Sequence, residues 1–72
     1  MVDRQLMLRN RIIGVLLRDA RQRERRTMAE CADALGVSSG TIQAYEEGRQ
    51  SVSLPELEVL GYLLGTPVSH FL

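Results

Sequence analysis

At 72 residues the chain is enough for one domain, and a fold this small buries only roughly 60% of its unfolded surface, so its core is thin. Nine arginines and no lysine balance nine Asp plus Glu for a formal net charge of zero, which excludes a peptide held to nucleic acid by bulk charge. A single Cys31 and a single His70 exclude an internal disulfide and a four-ligand Cys/His metal site, while 44% hydrophobic residues argue against disorder.

The balance hides an asymmetry. Residues 1–27 hold eight arginines against Asp3, Asp19 and Glu24, a net of +5; residues 28–72 hold Arg49 against six acids, a net of −5. The Arg-rich half reads either as a solvated helix face or as a surface turned toward an anion.

The first predicted helix is long, running from about residue 3 to 25. Leu6, Ile13, Leu17 and Ala20 form one stripe at helical spacing, with Leu16 alongside. Met7, Leu8, Ile12 and Val15 spread round the side, more apolar surface than one helix of a small bundle needs. A homodimer contact through Leu6 and Met7 is the expected use of that surplus. Thr27-Met28-Ala29-Glu30 then reads as a capping box opening a short second helix, with Cys31, Ala32 and Leu35 inward, closed by Gly36. Ser38 caps the third, about residues 38–47, in which Ile42 and Tyr45 share a face. Ser53-Leu54-Pro55-Glu56 is a second capping box, followed by Leu57, Leu60, Leu63 and Leu64 up to Gly65. Pro67 starts a last short helix whose Val68, Phe71 and Leu72 are expected to close the core. The expected fold is all-α, a compact five-helix bundle forming a single domain over residues 1–72.

Two short helices joined by a glycine turn, the second capped by Ser and rich in Thr and Gln, have the arrangement of a helix-turn-helix. The run Thr27 to Arg49, TMAECADALGVSSGTIQAYEEGR, resembles the phage repressor and Cro-type family of XRE-like helix-turn-helix domains. The LGYLLGTPVSHFL stretch resembles that family's following helices, so the likeness spans roughly Ile13 to Leu72. It implies a lambda repressor-like five-helix domain that binds double-stranded DNA as a homodimer and serves as a transcriptional regulator, usually a repressor. The cytoplasm is the expected compartment on separate grounds, the short apolar runs and the charged N-terminal residues. It also implies base contacts from Ser39, Gly40, Gln43 and Ala44, of which Gln43 is suited to adenine, and an ion pair between Arg21 and Glu46. Phosphate contacts are expected from Thr27, Ser38, Arg49, Gln50, Ser51, Arg25 and Arg26.

The chain departs from the family at three places. Met28 stands where a phosphate-binding Gln is common, Arg25 where a glycine is usual, and Arg26 where an apolar residue follows it. Glu46 and Glu47 also put two negative charges at the end of the reading helix. An alternative reading is therefore a helix-turn-helix used as a protein-protein interaction module, such as the N-terminal part of a larger protein. An enzyme is not expected: Cys31 reads as a core residue, His70 as a surface one, and Gly36, Gly40 and Gly48 as helix punctuation rather than a phosphate loop. No metal or small-molecule cofactor is expected. Apolar runs of a few residues fall far short of the roughly 18 that suggest a membrane span, and the charged N-terminal residues are unlike a signal peptide.

Overall fold

The computed structural model describes residues 3–72, so the first two residues of the expected single domain lie outside it. Four α-helices follow one another: α1 (Arg4–Arg23), α2 (Met28–Leu35), α3 (Ser39–Glu46) and α4 (Leu54–Leu63), ending in a 3-10 turn at Val68–Phe71. The expected fifth helix is thus a single tight turn. Pro67 sets its start, and four residues leave no room for an α-helical hydrogen-bond ladder.

Each start is a local side-chain event. Asp3 accepts from the backbone N–H of Gln5 at 2.9 Å and of Leu6 at 3.3 Å. Thr27 with Glu30, and Ser53 with Glu56, form reciprocal capping boxes, and Ser38 accepts from Thr41 N–H. The ends also share one design. In α2, α3 and α4 a glycine at φ +69°, +74° or +63° takes the left-handed turn, and paired backbone bonds such as Arg49 N–H to Ala44 O and Gly48 N–H to Tyr45 O close the helix.

The first helix ends this way without a glycine, at Arg23 rather than at the expected Arg25. Arg25 sits at φ +55°, its N–H on Gln22 O and that of Arg26 on Arg21 O. A side chain in this conformation costs on the order of 1 kcal/mol. Arg25→Gly is expected to stabilise the domain by about that amount, read as a shift of the urea midpoint; an unchanged or lower midpoint would contradict the account.

Ile13, Leu17 and Ala20 of α1 meet Cys31 and Ala32 of α2, Ile42 and Tyr45 of α3, Leu57, Leu60 and Leu64, and Phe71 of the 3-10 turn. Leu6, expected on the same stripe, is 51% exposed, because the first turns of α1 extend past the core. Leu72, expected to help close the core, is also exposed. The helices α1 and α3 touch backbone to backbone at Gly14, where a Cβ would lie 2.5 Å from both Tyr45 O and Glu46 O. The Tyr45 hydroxyl donates to Glu56 Oε2 at 2.7 Å, tying α3 to α4. Burial and this bond push the Tyr45 pKa up to about 12, and the same bond holds Glu56 below the usual carboxylate range. No helix of the described residues is long and apolar enough to cross a membrane.

Candidate nucleic-acid interface

The turn from Gly36 to Ser38 sets α3 across α2, with the Ser38 side chain capping its first turn. Ile42, Ala44 and Tyr45 face inward, leaving Ser39, Gly40 and Gln43 on the outer face. Ala44, expected among the base contacts, is buried and withdrawn from that set. Only 7% of it is exposed, although it stands apart from the apolar cluster that holds Ile42 and Tyr45. A Cβ at Gly40 would meet only Ser38 Oγ at 3.7 Å, so nothing in the fold itself requires a glycine there.

Glu46 also turns inward. Arg21 Nε donates to Glu46 Oε2 at 2.6 Å and Nη2 to Oε1 at 3.1 Å, a two-bond fork between α1 and the end of α3. The same guanidinium donates through Nη1 to Arg26 O at 3.0 Å, so one side chain holds α1, α3 and the turn before α2. The Glu46 hydrogen bond raises the Arg21 pKa further, and the side chains are 13% and 4% exposed. Of the two acids at the end of the reading helix, only Glu47 remains on the outside.

The expected phosphate-directed groups are partly occupied. Glu30 accepts from the backbone and hydroxyl of Thr27, and Arg26 Nη1 donates to it at 3.0 Å. The bond from the Thr27 backbone, then that from Arg26, hold Glu30 below the ordinary carboxylate range, so a full negative charge sits at the start of α2. Ser51 accepts from the Asn10 amide at 2.8 Å, a contact that pins α1 to the loop after α3. Arg25, Gln50 and Ser38 are exposed.

Glu47 gathers the polar groups at the other end. It accepts from Arg49 Nε at 2.7 Å and from the Gln43 amide at 3.3 Å, and these two bonds, Arg49's first, lower its pKa. Two side chains expected to reach a duplex thus share one carboxylate. Glu47→Gln removes that charge and releases Arg49, so binding to any duplex should tighten and the salt slope steepen by about one. In an Arg49→Ala background the slope change should vanish; an unchanged slope in the single variant would remove Glu47 from the interface.

Two further residues, Arg18 and Gln22, line an open groove of about 250 Å³ between α1 and α3, together with Arg21, Gln43 and Glu47. Neither carries a role that the family resemblance implies. Their spacing was the available signal, since positions 14, 18, 21 and 22 share the side of α1 that approaches α3. Elsewhere, burial raises the Cys31 thiol pKa, and His70 is exposed. No group of three metal-ligating side chains occurs among the described residues.

A short capped helix, a glycine turn and a second short helix with an outward polar face define a helix-turn-helix unit. The family model for the helix-turn-helix domain matches residues 12–71, and the chain belongs to that family. A search of curated proteins finds no match.

Proposed function

We propose that the chain binds double-stranded DNA sequence-specifically, with α3 in the major groove, as a transcriptional regulator of the phage repressor and Cro type. The observation that carries this reading is the outer face of α3. Ser39, Gly40 and Gln43 stand exposed there on a helix locked to α1 by the Arg21–Glu46 fork. Gln43 reads adenine N6 and N7, Ser39 takes a donor or acceptor, and Gly40 lets the duplex approach closely. Arg49, Gln50, Arg25 and the Ser38 end of α3 serve the phosphates, with Thr27, Arg26 and Ser51 contributing where their present partners yield. The left-handed Arg25 supports this role, because the strain there preserves a positive charge before α2. Repression in the cytoplasm as a homodimer is the form of action that fits, and Leu6 and Met7, 51% and 49% exposed, are available to a self-contact.

Gln43→Ala tests the reading. It should cost about 1–3 kcal/mol of discrimination between selected and scrambled duplexes while leaving nonspecific binding nearly unchanged. Equal losses on both duplexes would end its role as a base reader. The second reading, a protein-interaction module, is favoured by Glu47 on the outer face and by the apolar side chains exposed along α1.

A further inference from the structure

Leu8, Ile12 and Val15 stand 60%, 52% and 63% exposed on α1. Their i, i+4, i+7 spacing makes one continuous apolar ridge over two turns, turned away from Ile13, Leu17 and Ala20. Arginine lines both flanks. Arg4, Arg11 and Arg18, at seven-residue intervals, run along one side; Arg9 and Arg23 border the other, and all five are exposed. The remaining arginine of the helix, Arg21, turns inward to Glu46. Arg4, Arg9, Arg11 and Arg18 have no carboxylate within ion-pair distance among the described residues. Asp19, the only acid of the helix, lies at the end of the ridge and is paired with Arg23 at 3.3 Å.

We infer that this face of α1 seats on an anionic phospholipid surface, the helix lying in the plane of the headgroups rather than crossing the bilayer. The ridge enters the acyl boundary while the flanking arginines reach back to lipid phosphates. A guanidinium suits that task, since its planar fork holds two phosphate oxygens at once. The combination of groups decides the occupant. A nucleic-acid duplex would match the arginines but would set three aliphatic side chains against its charged backbone. A purely apolar groove on a protein would match the ridge but leave the flanking charges unanswered. An acidic protein helix would need a pocket shaped to the ridge, whereas a fluid headgroup layer takes a convex ridge without one. The open grooves along α1 run beside the ridge, one past Arg18 and Gln43 and the other past Leu6, Met7 and Arg11. The inference does not rest on what the outer face of α3 binds, because Leu8, Ile12, Val15, Arg4 and Arg9 have no part in that face.

Co-sedimentation of the full chain with vesicles of equal parts phosphatidylglycerol and phosphatidylcholine tests this. The chain should bind them about tenfold or more tighter than vesicles of phosphatidylcholine alone, and the binding should weaken as salt rises. Ile12→Asp should lower the partition coefficient by about tenfold or more, through lost apolar burial. Arg4→Gln combined with Arg9→Gln should lower it by about the same factor, through lost headgroup attraction. Tyr62→Asp, which alters a 93% exposed side chain on α4, should leave it unchanged. Circular dichroism of each variant checks that the fold is retained. An unaltered chain that does not bind, equal binding to both kinds of vesicle, or unchanged binding in either α1 variant would overturn the proposal. So would a loss on Tyr62→Asp as large as that on Ile12→Asp. A solution mass above 8.1 kDa without lipid that Ile12→Asp returns to the monomer would give the ridge to a second copy, and would overturn it as well.

Discussion

Arg21→Ala is expected to cost about 3–4 kcal/mol of folding stability, because it leaves the Glu46 carboxylate, 4% exposed, without its counter-charge. A domain of this length holds in total roughly 4–11 kcal/mol, so the variant should sit near the edge of unfolding at room temperature. The loss has three parts that a single side chain supplies: the fork to Glu46, the bond to Arg26 O, and the fixed angle of α3 against α1. Replacing both partners by apolar residues, Arg21→Met with Glu46→Leu, should recover much of the stability, since no buried charge is then stranded. Urea unfolding followed by circular dichroism reads both. A cost below about 1 kcal/mol for Arg21→Ala would mean that the pair behaves as an ordinary surface ion pair.

Gly14→Ala should be destabilising by about 3 kcal/mol despite the better helix propensity of alanine. Its Cβ would fall 2.5 Å from two carbonyl oxygens, Tyr45 O and Glu46 O, and neither is the end of a flexible side chain that can swing away. Relief requires α1 to lift from the end of α3, which also stretches the Arg21–Glu46 fork. Gly40→Ala is the matched contrast, since its Cβ would make only an ordinary contact with Ser38 Oγ at 3.7 Å. It should stabilise by about 0.5–1 kcal/mol and weaken DNA binding if the duplex comes close there. Thermal unfolding of the two variants should therefore shift in opposite directions; a Gly14→Ala midpoint that is unchanged or raised would refute the close approach of α1 and α3.

Why some of this was legible in the sequence is a matter of range. The two capping boxes and the Gly36 turn depend on residues within four positions of one another, and they were readable residue by residue. The Arg21–Glu46 fork came instead from the family resemblance, since it joins residues 25 apart. Ala44 enters as a base contact through the family resemblance, and its burial depends on packing that no local pattern announces. Asn10 and Ser51 meet across 41 residues, and a hydrogen bond between two exposed polar groups leaves no periodic trace. The helix α1 ends two residues short of Arg25 because that arginine occupies a left-handed turn that composition assigns to glycine. The Leu6 stripe continued correctly as a helix but ran beyond the core it was expected to cover.

The most direct test of the central claim is titration of the purified chain against duplexes selected from a genomic pool and a scrambled control at two salt concentrations. DNA recognition through the outer face of α3 predicts salt-sensitive binding with a preference of about a hundredfold or more for the selected duplex. Binding that is equally weak on both duplexes would contradict it and move the face of α3 to a protein partner.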